Sequence, residues 1–240
     1  MFARYAYAPN RLGYCGPADA RALHNGSAAD IRALARQFSG AWPYLRAMSR
    51  LTGIADPLDA RLVESYWLGG GIGADLDAGA FTTELLAIIA PMAGHYWSYL
   101  NTDLAEEAAA NHGFHVFGVY PWTRLLGRGA DEHPIRILDS CRITWGTVVA
   151  REGGAASVRC RRLVSDGPLL RLSGPALWRA EVDDDHLATE VAVGDQVAVH
   201  WGRVCGRLDS DQTRALATST ARQLRVTNRR LADTARAALR

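Results

Sequence analysis

The 240-residue chain contains no lysine: all 27 of its basic residues are arginine. Set against 25 acidic residues they leave a net charge of only +2, so bulk charge offers no argument for nucleic acid as a partner. The chain also lacks any CxxC pair. Its four cysteines, Cys15, Cys141, Cys160 and Cys205, stand far apart, which argues against a zinc knuckle. No apolar run reaches the roughly 18 residues of a membrane span; the longest, Leu85–Met92, is far shorter. The first twenty residues carry Arg4, Arg11 and Asp19 in place of the apolar centre of a secretory signal. A cytoplasmic protein with reduced thiols is therefore expected.

What is present is an apolar fraction of 48%, enough for one large or two modest cored domains. Residues 1–18 are aromatic and turn-rich without a clear period, and read as an arm packed on the core. Ser27 is placed to cap a helix over Ala28–Phe38, a second helix fits Ala41–Leu51, and Asp56-Pro57 marks the start of a third carrying Leu62, Tyr66 and Trp67. Gly69–Gly79 reads as a loop; it lacks the Lys-Ser/Thr of a phosphate-binding loop. Thr82 or Thr83 opens a fourth helix through Ala90, broken at Pro91 and Gly94. Gly113–Trp122 turns aromatic and β-branched, and reads as a strand or a connector.

From Ile135 the pattern is one of short strands: Ile135–Leu138, Arg142–Ala150, Ala156–Leu163, Leu169–Leu172, Ala176–Val182, Gln196–His200 and Val204–Leu208, with turns at Gly153-Gly154, Asp166-Gly167-Pro168 and Gly174-Pro175. Gly146 suits a sharp bend in a small barrel. A last helix begins at Asp209 or Ser210, with a thin apolar face of Leu216, Thr220, Leu224 and Leu231. The predicted fold class is α+β: a helical domain over residues 1–132, a small OB-like barrel over 133–208, and a C-terminal helix over 209–240.

Two stretches carry a resemblance. Cys141-Arg142-Ile143-Thr144-Trp145-Gly146-Thr147-Val148 and Val193-Gly194-Asp195-Gln196-Val197-Ala198-Val199-His200-Trp201-Gly202 resemble the opening and closing motifs of the small HypC-type chaperones of nickel–iron hydrogenase maturation. The likeness covers about seventy residues, Ser140 to Asp209. It departs at Trp145, where the family has proline, and in placing Cys141 inside the chain. The whole sequence, with its opening FARYAYAPNRLGYCGPAD, is also similar to an uncharacterised actinobacterial family associated with hydrogenase gene clusters.

The resemblance implies that the family's functional cysteine and histidine map onto Cys141 and His200. A thiolate is a soft ligand suited to iron already carrying carbon monoxide and cyanide, and an imidazole can ligate or take the thiol proton. If that chemistry operates, the Cys141 thiol is expected to be acidified by Arg142 or a protonated His200. Further binding candidates are Cys15, held in a Gly-Pro-rich turn, His112, His115 and Trp122, together with Trp145 beside Cys141 in the motif. His112 and His115 would share a face on a helix, but Gly113 disfavours a helix there, and on a strand they would point to opposite faces. A metal shared between the two is therefore not expected. His95-Tyr96-Trp97 reads as packing, Asp183-Asp184-Asp185 as a solvated turn, and Cys160 and Cys205 as small apolar residues.

These readings point to a non-catalytic accessory factor that binds a maturation scaffold protein, the large-subunit precursor of a hydrogenase, or an iron-ligand intermediate, with no membrane partner. One alternative is an enzyme whose site lies in the helical domain, with the barrel as docking module; a buried polar pocket holding Cys15 or His115 would favour it. The other is an OB-like binder of single-stranded nucleic acid using Arg159, Arg161 and Arg162.

Overall fold

A computed structural model describes residues 1–91, 100–127, 129, 131–167, 169–182 and 190–238. The break at Pro91–Gly94, His95-Tyr96-Trp97 and Asp183-Asp184-Asp185 fall wholly or partly outside those residues. The chain is α+β, with helices first, a five-stranded sheet second and a long helix last.

The helices are α1 (Phe2–Arg11), α2 (Ala22–Asn25), α3 (Ala28–Ala35), α4 (Trp42–Thr52), α5 (Ala60–Leu68), α6 (Gly71–Ala74), α7 (Ala78–Ile89), α8 (His112–Phe114), α9 (Glu132–Cys141) and α10 (Ser210–Ala238). The expected unpatterned arm is instead α1. Phe2, Tyr5, Ala6 and Pro9 recur at helical spacing and are buried, a stripe concealed in the sequence by its small alanines. Ser27 caps α3 as predicted, in a reciprocal capping box with Asp30. The third predicted helix starts later than expected. Asp56 accepts from Leu58 N in a tight turn, and Asp59 is the cap. Asp77, not Thr82 or Thr83, caps α7; those two hydroxyls donate to carbonyls one turn back.

Two strand expectations fail. Ile135–Leu138 lies within α9, because Pro134, Ile137, Leu138 and Cys141 form a helical stripe and proline is tolerated in the first turn. Gly113–Trp122 is helical except at the extended Tyr120: α8, then a π turn at His115–Val119 and a 3-10 turn at Pro121–Leu125. The Asn111 side chain accepts from Phe114 N and opens that run, overriding the cost of Gly113.

The strands are β1 (Thr144–Glu152), β2 (Ala155–Asp166), β3 (Leu169–Glu181), β4 (Gln196–His200) and β5 (Arg203–Arg207), hydrogen-bonded in the order β1-β2-β3-β5-β4. β4 returns to β1 with Thr144 opposite Val199 and Gly146 opposite Val197, so the sheet closes into a ring. The two motif stretches are therefore neighbours. At Gly146 the strands approach closely: a Cβ there would come 2.3 Å from the Arg159 carbonyl oxygen. The turn expected at Gly174-Pro175 is absent. β3 runs straight through, with a bulge between Arg161 and Leu163 on its partner, and the Ser173 hydroxyl accepts from Arg162 N there.

One apolar cluster joins the helices to the near side of the ring, through Ile143, Ala198, Cys205 and Leu208. A second fills the ring with Val148, Val158, Val197 and Val204. A third lies under α10. The predicted face of α10 is buried at Leu216, Thr220, Leu224 and Leu231, with Asp209 as cap. That helix packs on both halves of the chain, and Asn228 pairs with both backbone groups of Leu170 in β3 at 2.8 Å. No helix among the described residues is long and apolar enough to cross a membrane.

Candidate metal centre

The last residue of α9 is Cys141, and its position is set by a buried ion cluster. Asp139, 6% exposed, accepts from Arg142 Nε at 3.0 Å and from Leu163 N at 2.7 Å, and pairs also with Arg162. Arg142 gives a further bond to the Arg161 carbonyl at 2.6 Å. The end of α9 is thus clamped to β2.

His200 ends β4. The hairpin that follows turns through Trp201 and Gly202, with φ of 50° and 74°, the left-handed pair of a type I′ turn. Trp201 is the only non-glycine residue with positive φ among those described. Its backbone N–H donates to the Ser140 carbonyl at 2.9 Å, and its ring stacks on Tyr14 at 4.0 Å. The fully buried His200 donates Nδ1–H to the Tyr5 carbonyl of α1 at 2.7 Å. This leaves Nε2 as the lone-pair nitrogen. Nε2 makes no hydrogen bond of proper geometry, although the Cys141 carbonyl slightly favours the protonated ring.

His112 comes from the helical half. A carbonyl oxygen only accepts, so His112 donates Nε2–H to the Cys141 carbonyl at 2.9 Å, and Nδ1 accepts from the Tyr66 hydroxyl of α5 at 3.1 Å. The Cys141 Sγ lies 4.0 Å from His112 Nε2. One ligand atom from each of His112, Cys141 and His200 lies within 4.8 Å of the others. A tetrahedral ion with bonds near 2.0–2.3 Å needs them about 3.3–3.6 Å apart, so the three must draw together on binding one.

The trio faces a cavity of about 200 Å³. Cys15, His115 and Trp122 line it too, so the structure brings six of the seven candidates together. Trp145 is apart, on a different hollow beside Arg159 and Arg161. Four contributors are not singled out by the sequence: Tyr5, Tyr66, Trp67 and Trp201. Tyr66 and Trp67 read there as a core stripe. Trp201 carried the one available signal, a bulky residue before glycine in a hairpin. Trp67 stands 4.8 Å from His112 and 5.7 Å from His200, ring to ring.

Burial dominates the electrostatics. It pushes His200 down to about 4, His115 to about 3 and His112 well below its ordinary value, so all three are neutral at pH 7. It pushes the Cys15 thiol up to about 11 and Cys141 up to about 12. The expected acidified Cys141 is therefore overturned: His200 is not cationic, and Arg142 is committed to Asp139. The Trp201 indole N–H, otherwise unpartnered, favours the Cys141 thiolate slightly. A bound cation would be needed to ionise the thiol. Hard oxygen-seeking ions are poorly served by this donor set; zinc, cobalt(II), iron(II) and nickel(II) suit it.

The helical course at Gly113 also bears on the site. Because α8 and the π turn replace a strand, His112 and His115 both face the cavity, their rings 5.8 Å apart. Only His112 joins the cluster of possible ligands. Elsewhere, the Gly69–Gly70 stretch exists for packing: a Cβ would come 2.5 Å from Ser219 Oγ and 2.6 Å from Ala215 Cβ of α10. Arg162 pairs with Asp139 and lies over the Trp178 ring.

The fold and this cavity define an α+β protein with a buried His-Cys-His cluster between helices and ring. Residues 1–234 match a family described as a family of unknown function, DUF6390, and the chain belongs to it. No curated protein and no solved structure matches the chain.

Proposed function

We propose that this chain is a metal-binding accessory factor of nickel–iron hydrogenase maturation, acting in the cytoplasm. The observation that carries the reading is the convergence of Cys141 and His200, the two residues of the HypC-type motifs, with His112 on one cavity. The closed ring with β1 beside β4 supports a HypC-like module. The ligand would be iron, held transiently and carrying carbon monoxide or cyanide, and the partner a maturation scaffold or a large-subunit precursor. Cys141 supplies the thiolate, and His200 an imidazole fixed by the Tyr5 carbonyl. Deleting the gene in a hydrogenase-producing host is expected to lower hydrogenase activity with large-subunit transcript intact, and affinity capture to recover a maturation protein with iron. Normal activity and normal large-subunit processing would refute the reading.

A second reading, an enzyme with its site in the helical half, draws on Cys15 and His115 in the same cavity. It predicts turnover that Cys15→Ser or His115→Ala abolishes and Cys141→Ser spares. Against it, no carboxylate lines the cavity among the described residues, and its histidines and thiols are far from the acidity a proton-transfer catalyst needs near pH 7.

A further inference from the structure

We propose that Cys15 is the fourth ligand of the metal site, completing a two-cysteine, two-histidine set with His112, Cys141 and His200. The proposal rests on the metal-binding reading above and deepens it.

Charge carries the argument. A bare divalent ion, without cyanide or another anion of its own, keeps a net single positive charge when bound by one thiolate and two neutral imidazoles. The cavity around it is lined by groups such as Trp67, Trp122, Trp201 and Tyr120, with no Asp or Glu among the described residues. An uncompensated buried charge costs several kcal/mol even after relaxation. A second thiolate brings the site to neutrality, and Cys15 is the one other cysteine on the lining. His115 also faces the cavity, with Nδ1 unpartnered, but a third neutral imidazole leaves the excess charge in place.

Placement agrees. Cys15 sits between Gly13 and Gly16, with φ of 77° and 80°, in a turn pinned by Asn10 Nδ2, which donates to the Cys15 and Pro17 carbonyls at 2.8 Å each. Gly40 leaves room beside the thiol: a Cβ there would lie 3.8 Å from Cys15 Sγ and 2.9 Å from His115 Nε2. The site is built rather than incidental, since His200, 1% exposed, offers an unpartnered Nε2 to the same cavity.

Loading is a ligand exchange without redox change. The ion forms bonds to two sulfurs and two nitrogens, and the two thiol protons leave to solvent. His112 frees Nε2 by changing tautomer: Nδ1–H donates to the Tyr66 oxygen, and the Tyr66 hydroxyl donates to the Gly40 carbonyl, now 3.5 Å away. Both histidines then bind through Nε2 with Nδ1–H anchored on protein oxygen, the usual outer-shell arrangement. Four protein ligands fill a tetrahedral site for a bare divalent ion; a carbon monoxide or cyanide ligand arriving on the ion would displace one of them.

The test uses the full chain, reduced and metal-free, loaded with cobalt(II) alone or zinc alone. X-ray absorption of the zinc-loaded wild type is expected to count two sulfur scatterers, and needs no variant. The thiolate-to-cobalt absorption is expected to fall by about half in Cys15→Ser and in Cys141→Ser, and to hold in His115→Gln. One sulfur scatterer, with undiminished absorption in a folded Cys15→Ser, would overturn the role of Cys15 and leave a three-ligand metal site standing. A wild type that binds neither ion would overturn the metal-binding reading and this proposal together.

Discussion

The backbone N–H of Trp201 donates to the carbonyl of Ser140 over 2.9 Å, tying the turn after His200 to the residue before Cys141. The two motif residues are thus held together by main chain, whatever their side chains bind. The geometry depends on Trp201 accepting a left-handed backbone at φ 50°, which costs a side-chain-bearing residue about 1–2 kcal/mol. Trp201→Gly is therefore expected to be more stable than Trp201→Ala by about 1 kcal/mol, both having lost the Tyr14 stack. Urea unfolding of the pair decides it; an alanine variant as stable as the glycine one would contradict the turn.

Asp139 holds Arg142, itself 3% exposed, beside Arg162. Asp139→Asn removes the only carboxylate of that cluster and strands a buried guanidinium. The expected loss is about 3–5 kcal/mol. A cost under about 1 kcal/mol in denaturant unfolding would show that the cluster is not a clamp on α9.

Tyr66 hydrogen-bonds His112 Nδ1 at 3.1 Å, and would orient that ring from outside the contacts of the proposed metal. Tyr66→Phe is expected to weaken zinc binding by about 10–100-fold, while the lost buried hydrogen bond costs about 1 kcal/mol of stability. Competition with a chelating dye measures the first. Unchanged affinity would remove Tyr66 from the site's support.

Burial holds His115 down to about 3 and His200 to about 4. In the unfolded chain both titrate near about 6.5, so below that value unfolding takes up protons. The stability tied to their neutrality is complete above about pH 6.5. It drains away as the pH falls toward 4 for His200 and 3 for His115. Melting temperatures of the metal-free protein should drop steadily on acidification through that window, and His115→Gln should flatten the slope. A melting temperature that climbs from pH 6.5 to 4.5 would contradict the buried neutral rings.

Gly53 and Gly70 both have positive φ, 73° and 67°, but only Gly70 is crowded: a Cβ there would come 2.6 Å from Ala215 Cβ. Gly53→Ala is expected to cost about 1 kcal/mol. Gly70→Ala should cost more, because its ψ of −160° lies in a region essentially restricted to glycine and α10 must shift as well. Equal losses in denaturant unfolding would mean that neither the backbone at Gly70 nor the press of α10 matters.

Much of the local structure was legible in the sequence because it follows from short-range rules. The Ser27 cap, the Gln196–His200 strand and the stripe of α10 each need only a few neighbouring residues to be recognised. Where two local signals competed, the reading failed. β-Branched Ile135 and Ile137 suggested a strand, yet the Pro134–Cys141 stripe made a helix; Gly113 argued against a helix that the Asn111 cap then opened. The Cys141 and His200 pairing was legible only through motif resemblance. Nothing local could reveal His112 as their neighbour, with Cys15 on the same cavity. Cys15 and His112 come from segments whose places depend on which apolar faces pack: α1 against β4 and β5, α8 against α5 and α10. Nor could sequence anticipate the raised pKa of Cys141, since desolvation is a property of the closed cavity and not of any residue beside the thiol in the chain.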